Sequence, residues 1–567
     1  MKRRRFFLTA LTAGLSSRLA RARGESARKS RASPGSPIPR IMFTHDSRHP
    51  AVYMYEPPME REEFEAAVDE LAGTPVDALM FGLADGRTFF HDTKVGEIWG
   101  DPIRKWPHLI FRRARQNVKM MLDRGQDPLR IVCERARAKG MRLYPTLLVN
   151  QWLFGDSPQD DVRASNFRWK NRHLEIGAAG DLEEFPGRTH LDFKHEAVRE
   201  ERLAVIREVL NNYPVDGFEL HLNYAGPFFF HPDRVADGRG IMSSWVAQVH
   251  QAVKASGAER ELVITVPVDL ERAWSRGLDV RQWIRDGSVD VLVGMSHNSM
   301  DHVADFRPLV QAARGSSCRV YAALNGQVYS DRLQNADITV TRAGACNYWA
   351  QGVDGLYLDF WYARWPYQAS FYEQLREAPH PDVMAAKDKF YFVPTRAGTR
   401  LRSHEPPLPL PRKLNVGRAV AVDLEIADDL SRWDRAGRVH EVLLRLRVAG
   451  TTELDRLRFT LNGRVLPEER MRKINQMYTM RSPRRQRVAG YWFVFRPDRE
   501  LWPRQGRNRI EVTLLERDPE VTPPVELRDV ELEVRYLRGK NSWRGRDPDD
   551  LGRNETIVRL GPGARLV

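Results

Sequence analysis

Eight short apolar segments alternate with amphipathic helical segments between Arg40 and Pro366, and this alternation most limits how the chain can fold. Strands that alternate with helices are typical of a parallel sheet, because each crossover must return the chain to the same end of the sheet. The predicted strands are Ile41–His45, 76–83, 143–149, 215–223, 262–268, 289–296, 320–324 and 353–360. The predicted helices are 60–71, 128–139, 195–212, 242–256, 280–286, 306–314, 338–350 and 368–377. Eight such units predict an α/β fold of the (β/α)8 TIM-barrel type.

The second, fourth, sixth and eighth predicted strands all begin with the dipeptide Val-Asp. The four aspartates are Asp77, Asp216, Asp290 and Asp354. An aspartate at the entrance of a barrel strand lies at the N-terminal face, where residues contribute to stability rather than to catalysis. We therefore predict a structural role for these four carboxylates.

We assign the barrel to residues 40–393, and a second domain follows it. Residues 394–414 contain five prolines and form a predicted stiff linker. Alternating apolar and polar residues then predict an all-β sandwich of jelly-roll type over residues 415–540, followed by a C-terminal tail over residues 541–567. This domain is either a carbohydrate-binding module or a packing domain that supports the barrel. Its aromatic residues lie within strands rather than loops, which favours packing.

The positive charge of the chain is concentrated at its N-terminus. Lys and Arg number 89 against 75 Asp and Glu, a net charge of +14. Residues 1–40 hold eleven basic residues and one glutamate, which leaves only +4 for the rest. A nucleic-acid-binding body is therefore excluded as the main interpretation.

The basic N-terminus resembles an export signal. Arg3-Arg4-Arg5 precedes Phe6-Phe7-Leu8 and a short apolar run, the arrangement of a twin-arginine signal. We predict a signal over residues 1–23, a disordered tether over residues 24–39, and export to the periplasm or the extracellular space. The alternative is a basic tail on a cytosolic protein. No segment is apolar for long enough to predict a membrane span.

The three cysteines lack the spacing of a zinc site. Cys133, Cys318 and Cys346 each lie in an apolar helix or strand pattern and are predicted to be small buried side chains. No Gly-rich phosphate loop follows the seventh or eighth strand. We expect no metal, no cofactor and no phosphate substrate; the oligomeric state stays open.

The candidate catalytic residues lie near the C-terminal ends of the fourth and eighth strands, where TIM barrels carry their chemistry. Side chains alternate along a strand, so Glu219, His221 and Asn223 point into the barrel, as do Tyr357, Asp359 and Trp361. Inward polar side chains are costly unless they line a site. The predicted pair is Asp359 with Glu219, with Asp269 as a substitute and His221 close enough to perturb their protonation. The alternative is a structural role, in which Glu219 and Asp359 are paired with neighbouring Arg or His side chains deep in the barrel.

Polar and aromatic residues near the strand ends form a predicted substrate cup. Its candidate members are His45, Asp46, Asp85, Asn150, Trp152, Asn223, Tyr224, His297, Asn325, Tyr357, Trp361 and Arg364. Flat rings beside acids and amides suit a sugar, whose C–H faces pack on aromatic rings while its hydroxyls form hydrogen bonds. Arg87, Lys94 and Arg364 would bind the carboxylate or sulfate of an acidic sugar, unless they are ordinary solvated charges.

Two strand motifs carry a resemblance to a known group. Val215-Asp-Gly-Phe-Glu-Leu220 and Val353-Asp-Gly-Leu-Tyr-Leu-Asp359 resemble the Asp-Gly-hydrophobic-x-Leu-Asp strand of exported bacterial glycosyl-hydrolase-like TIM barrels, including the family-10-like group with a C-terminal β-sandwich. The resemblance implies an enzyme that cleaves polysaccharides or glycosides by carboxylate acid/base catalysis. His221 departs from it, because the family has Asp there. The seventh strand also lacks the Glu of the large retaining-glycosidase clan.

Two functions from different classes therefore follow from the sequence. The first is an exported glycoside hydrolase that acts on a complex or acidic polysaccharide. The second is a non-catalytic carbohydrate-binding TIM barrel, which the histidine at position 221 keeps open.

Overall fold

Eight parallel strands close into a barrel, because the eighth strand pairs with the first. The strands are β1 Ile41–His45, β2 Ala78–Gly82, β3 Arg142–Leu148, β4 Gly217–His221, β5 Glu261–Pro267, β6 Val291–Met295, β7 Arg319–Asn325 and β8 Gly355–Asp359. Each predicted strand overlaps the observed strand of the same rank. The predicted TIM barrel is confirmed.

The computed structural model describes residues 39–545 except 86–87, 151–152, 154, 156, 225, 297, 331, 334, 396–406 and 476–489. The predicted signal and nearly all of the predicted tether lie outside the described residues, as do most of the linker and most of the C-terminal tail. In the part of the chain that is described, no helix is both long and apolar enough to cross a membrane.

Helices connect the barrel strands and cover them. They are α1 Arg61–Asp69, α2 Leu109–Asp123, α3 Pro128–Ala138, α4 Asn166–Lys170, α5 Glu196–Asn212, α6 Val235–Ser256, α7 Leu270–Trp274, α8 Val280–Arg285, α9 Arg307–Ala313, α10 Ile338–Ala350, α11 Ala369–Glu377 and α12 Pro381–Met384. All eight predicted helices are present, although α6 begins well before the predicted residue 242. Sequence patterns missed α2, which starts at an unusual cap: the ring of His108 accepts the backbone N–H of Ile110.

The four Val-Asp aspartates join neighbouring strands at the N-terminal face of the barrel. Each accepts a hydrogen bond from a backbone N–H at the start of the preceding strand. The donors are Ile41 to Asp77 (3.1 Å), Leu143 to Asp216 (2.8 Å), Leu262 to Asp290 (2.8 Å) and Val320 to Asp354 (2.8 Å). The structural role predicted for these carboxylates is confirmed.

Gly217 and Gly355 leave room for two tyrosine rings inside the barrel. A Cβ on Gly217 would lie 2.7 Å from Cε1 of Tyr144, and a Cβ on Gly355 would lie 2.6 Å from Cδ1 of Tyr321. Both tyrosines are fully buried. The Asp-Gly pair of β4 and of β8 therefore has a packing function, since the aspartate holds the preceding strand and the glycine admits its tyrosine.

An apolar cluster fills the barrel below its C-terminal end. Its members are Met42, Ala78, Met80, Tyr144, Val263, Val291, Val293, Met295, Tyr321, Ala323 and Tyr357. A larger cluster lies between the strands and the helices and includes Cys133, Cys318 and Cys346. The three cysteines are free and buried, as predicted.

Two antiparallel sheets follow the barrel. Their strands are β9 Lys389–Phe392, β10 Arg412–Leu414, β11 Ala419–Ile426, β12 Val439–Ala449, β13 Arg456–Leu461, β14 Arg464–Val465, β15 Met471–Asn475, β16 Gly490–Phe495, β17 Gly506–Glu516 and β18 Val525–Tyr536. One sheet has the order β9-β18-β12-β16-β15, with β10 also paired to β18, and the other has the order β11-β17-β13-β14. Side chains of both sheets share one hydrophobic cluster. The jelly-roll sandwich itself stays a prediction.

Two details of this region differ from the sequence prediction. Strand β9 pairs with β18, so residues assigned to the end of the barrel belong to the C-terminal sheet. One short helix, α13 Leu430–Arg435, interrupts strands that were expected to follow one another without a helix. The aromatic side chains Trp492, Phe493 and Phe495 are buried, which agrees with a packing role.

Replacing Gly355 by alanine tests the packing function of the Asp-Gly pair. We expect Gly355→Ala to destabilise the protein by about 1–3 kcal/mol, because the added Cβ overpacks against Tyr321. The midpoint of thermal unfolding measures the effect. Gly240→Ala is the control, since Gly240 lies on an open part of α6 and alanine favours a helix there by up to about 1 kcal/mol. Equal melting temperatures for both variants would show that the Tyr321 ring can move away from an added Cβ without loss of stability.

Candidate functional site

A pocket opens at the C-terminal ends of the barrel strands. Its walls are formed by Thr44, His45, Asp46, Arg48, Met80, Gly82, Ala84, Thr146, Leu148, His221, Tyr224, Asn298, Tyr357, Asp359, Phe360 and Tyr362. Its volume is about 60 Å³. Because ligand pockets usually measure about 300–1,000 Å³, this space admits a substituent or one edge of a sugar rather than a complete ring. Six predicted site residues line it, namely His45, Asp46, His221, Tyr224, Tyr357 and Asp359.

Asp359 is the last residue of β8 and has only 5% of its surface exposed. Nδ2 of Asn325, at the end of β7, donates a 2.8 Å hydrogen bond to its carboxylate. Asn325 is held in turn, because its Oδ1 accepts the backbone N–H of Gln327 at 2.8 Å. Burial, together with the charge of Glu219, raises the pKa of Asp359 to about 7. A carboxyl group with this pKa is able to donate or accept a proton near neutral pH.

Glu219 points into the barrel as predicted but lies beneath the pocket rather than in its wall. It is completely buried and accepts hydrogen bonds from three hydroxyl groups. The donors are Thr146 Oγ1 at 2.6 Å, Thr265 Oγ1 at 2.7 Å and Tyr357 OH at 2.8 Å. Burial raises the pKa of Glu219 against the effect of these donors. Glu219 was predicted as the catalytic partner of Asp359, and the structure places it beneath the pocket wall that includes Thr146 and Tyr357, where its charge acts on Asp359.

Asp46 is the second carboxylate in the pocket wall. Its Oδ1 accepts the backbone N–H groups of Arg48 at 3.1 Å and His49 at 3.0 Å, and its Oδ2 contacts the side chains of both residues. Burial alone would raise the pKa of Asp46, but the hydrogen bond from His49 and the charge of Arg48 outweigh burial and hold the pKa well below its usual range. Asp46 is therefore an ionised carboxylate in the same pocket as Asp359.

The two pocket histidines are uncharged at neutral pH. Burial lowers the pKa of His221 to about 4, and burial against the charge of Asp46 lowers the pKa of His45 to about 4. Nδ1 of His45 accepts the backbone N–H of Ser47 at 3.0 Å, and its ring stacks on Phe81. Nδ1 of His221 is buried and has no hydrogen-bond partner among the described residues. His221 thus lines the pocket and keeps one buried nitrogen without a hydrogen bond among the described residues.

Asp269 does not reach the pocket. It is exposed, and its carboxylate caps α7 by accepting the backbone N–H groups of Glu271 at 2.9 Å and Arg272 at 3.1 Å. Asp269 was predicted as a substitute catalytic residue, and the structure places it at a helix cap, a position that also suits a strand-end aspartate.

Trp361 and Arg364 also lie away from the pocket. Phe360 has a left-handed backbone (φ 57°), which ends the strand alternation and turns Trp361 into the core, where its Nε1 donates to the carbonyl of Leu324 at 2.9 Å. The guanidinium of Arg364 donates to the carbonyls of Gly326 at 3.1 Å and Ala336 at 2.7 Å. Of these two predicted substrate contacts, the structure places Trp361 against β7 and Arg364 against the loop after β7.

The amide candidates have supporting positions. Asn150 Nδ2 donates to the carbonyl of Phe228 and so ties β3 to the loop after β4. Asn325 orients Asp359, and Asn223 is partly buried outside the pocket wall. Trp152, His297 and the side chain of Asp85 lie outside the described part of the chain.

Sequence patterns missed several residues of the pocket wall. Thr44 and Thr146 face inward by strand alternation, but hydroxyl groups carry too weak a signal to be selected. Arg48 follows the strand end by three residues, and its place depends on the turn that begins at Ser47, which has a left-handed backbone (φ 58°). Asn298, Phe360 and Tyr362 complete the wall after β6 and β8, and of these Asn298 and Tyr362 were expected near the strand ends.

Comparisons with known proteins identify no sequence relative. No family model matches the chain, and no curated protein matches it. The resemblance to the family-10-like group therefore stays a prediction.

Several solved glycoside hydrolases resemble the structure at low identity. α-L-Fucosidase isoenzyme 2 from Paenibacillus thiaminolyticus is 13% identical to this chain, with a TM-score of 0.40. The match covers 61% of this chain and 49% of the fucosidase, so this chain spans about half of the fucosidase's length. The PgaB glycoside hydrolase domain from Bordetella bronchiseptica is 14% identical with a TM-score of 0.40, covering 60% of this chain and 99% of its own. An α-amylase from Geobacillus thermoleovorans is 10% identical with a TM-score of 0.38, and the match covers 83% of this chain and 98% of the amylase. At these TM-scores the likeness carries no conclusion about activity.

The raised pKa of Asp359 predicts a pH-dependent effect on stability. Between the unfolded pKa of about 4 and the folded pKa of about 7, the folded state retains a proton that the unfolded state loses, so this carboxyl reduces stability as pH rises. Asparagine cannot ionise. As pH is raised from 5 to 8, we expect the free energy of unfolding of Asp359→Asn to increase relative to that of the wild type, by up to about 1.4 kcal/mol for each pH unit below 7. The difference between the two melting temperatures, measured at each pH, checks this. Asp269→Asn, at an exposed position, is the control, and a pH-independent difference for Asp359→Asn would contradict the raised pKa.

Proposed function

We propose that this protein is an exported glycoside hydrolase that cleaves glycosidic bonds of a complex or acidic polysaccharide. The observation that carries the proposal is the pair of pocket carboxyl groups whose pKa values are displaced in opposite directions. Asp359 has a pKa of about 7, whereas the pKa of Asp46 is held well below its usual range. Environments that separate two carboxyl pKa values in this way assign one group as acid and the other as base or nucleophile.

In the proposed reaction, protonated Asp359 donates its proton to the glycosidic oxygen of the leaving sugar. Ionised Asp46 attacks the anomeric carbon or removes a proton from the water that attacks it. Glu219 does not touch the substrate. Burial, together with the charge of Glu219, keeps the pKa of Asp359 high, so that the acid still carries a proton near neutral pH.

The pocket wall suits part of a sugar. Tyr224, Phe360 and Tyr362 provide rings, while Thr146 and His221 provide polar side chains. Aromatic rings pack against sugar C–H groups, and a few polar groups fix orientation.

Export and the architecture outside the barrel belong to the same proposal. The twin-arginine pattern supports a periplasmic or extracellular location. The two C-terminal sheets, with one shared hydrophobic cluster, support a sandwich domain that packs against the barrel.

Reducing-end release from polysaccharides tests the activity. We expect the wild type to release reducing ends from at least one member of a panel of neutral, uronic and sulfated polysaccharides. Loss of a positioned acid or base typically lowers the rate by about 10²–10⁴-fold, so Asp359→Asn and Asp46→Asn should each fall by that factor. Asp269→Asn is the matched control and should retain wild-type activity. Full activity in Asp359→Asn would refute the assignment.

The pH profile of Glu219→Gln tests the supporting carboxylate. Because the charge of Glu219 raises the pKa of Asp359, its removal lowers that pKa, and the alkaline limb of kcat/KM moves to lower pH. Glu271→Gln, a surface change, should leave the limb in place. A uniform loss of rate with an unmoved limb would mean that Glu219 only stabilises the barrel.

The second candidate function is a non-catalytic carbohydrate-binding barrel. Two observations favour it: the pocket of about 60 Å³ is small, and the neutral His221 stands where the resembling family has Asp. Binding of a polysaccharide without reducing-end release, unchanged in Asp359→Asn, would select this function.

A further inference from the structure

A second concave region, here called the arginine groove, is formed by three elements: the loop after β4, the start of α6 and the turn after α7. It has a volume of about 320 Å³, within the usual range of ligand sites. Its walls include Phe185, Phe228, Phe230, Val235, Arg239 and Arg276. It is therefore considerably larger than the pocket at Asp359.

Arg276 is a cation with no carboxylate partner in the described part of the chain. Its guanidinium lies 4.7 Å from the ring centroid of Phe228, and its buried Nε has no hydrogen-bond partner among the described residues. Burial lowers the pKa of Arg276, and no carboxylate counteracts this effect. Because a partly desolvated, unpaired charge is unfavourable, an anion that enters the groove gains an unusually strong contact.

Arg239 adds a second positive charge to the same groove. Its guanidinium stacks 3.9 Å from the ring centroid of Trp274, and its Nε donates to the carbonyl of that residue at 3.3 Å. Asp233 is the one carboxylate in the described wall. It is 89% exposed and lies 3.9 Å from His231, so it pairs with neither arginine. The groove therefore has an excess of positive charge beside aromatic rings.

The groove and the pocket are connected through one loop. Tyr224 lines the pocket and Phe228, four residues later, lines the groove. Asn150, at the end of β3, fixes that loop by donating to the carbonyl of Phe228. A polymer chain that occupies the pocket thus has a neighbouring contact surface on the same loop.

We propose that the arginine groove binds the carboxylate of a uronic acid unit in an acidic polysaccharide. The guanidinium fork of Arg276 matches a carboxylate, and the partly exposed ring of Phe185 is available to pack against the sugar. This inference rests on the proposed function for its choice of a polysaccharide as ligand, but its test does not require cleavage.

Binding of the full chain to uronic acid polymers tests the groove. The probes are polygalacturonate, alginate and hyaluronate, with methyl-esterified polygalacturonate as a neutral match and dextran sulfate as a sulfated match. We expect calorimetry to detect binding of at least one uronate polymer and not of the ester. Arg276→Met should weaken that binding by about tenfold or more, because a charge-assisted contact is lost. Arg281→Met is the control, since Arg281 is a surface residue paired with Glu271 at 3.0 Å.

Each outcome decides the proposal. No binding to any uronate polymer, equal binding of the ester, binding of dextran sulfate alone, or unchanged binding by Arg276→Met would overturn it. Arg276→Lys retains the charge without the fork and should keep part of the affinity, and an unchanged melting temperature confirms that each variant is folded. Uronate binding that depends on Arg276 without any cleavage would refute the hydrolase and retain the groove, whereas cleavage that is insensitive to Arg276 would do the reverse.

Discussion

The placement of Glu219 inside the barrel is the constraint on which the candidate site depends. A carboxylate in an apolar interior is unfavourable unless its oxygens are paired. Three hydroxyl groups from β3, β5 and β8 meet this requirement, and no cationic side chain among the described residues pairs with it. Burial raises the pKa of Asp359, and the charge of Glu219, which no cation cancels among the described residues, raises it further. A buried group that never reaches the pocket thus contributes to the protonation of one that does.

The two ends of the barrel separate stability from chemistry. At the N-terminal face, Asp216 and Asp354 bind the preceding strands, and the glycines that follow them admit Tyr144 and Tyr321. The Asp-Gly motif that carries the family resemblance is therefore explained by barrel packing. It consequently supports the fold more strongly than it supports an activity. The side chains that could carry an activity lie at the C-terminal ends of the same strands.

The strands were predictable because their apolar segments and the periodicity between them are local properties of the chain. The same alternation gave the inward direction of Glu219, His221, Tyr357 and Asp359 correctly. The alternation could not show how far along the barrel axis each inward side chain lies. That position decides which residues reach the pocket, and it depends on the stagger between strands that are distant in sequence. Trp361 was misplaced for a different reason: the left-handed Phe360 interrupts the alternation one residue after the strand ends.

The C-terminal sheets bear on the site through the loop that follows β7. Arg332 in that loop forms a buried ion pair with Glu531 of β18 at 2.7 Å, and its guanidinium lies 4.7 Å from the ring centroid of Trp492. The loop begins directly after Asn325, whose side chain orients Asp359. Buried ion pairs are weak contributors to stability but are sensitive to the position of both partners. Trp492 and Glu531 therefore fit a domain that holds the loop beside the acid in place better than they fit an independent sugar-binding module, since both are buried against the barrel rather than available to a ligand.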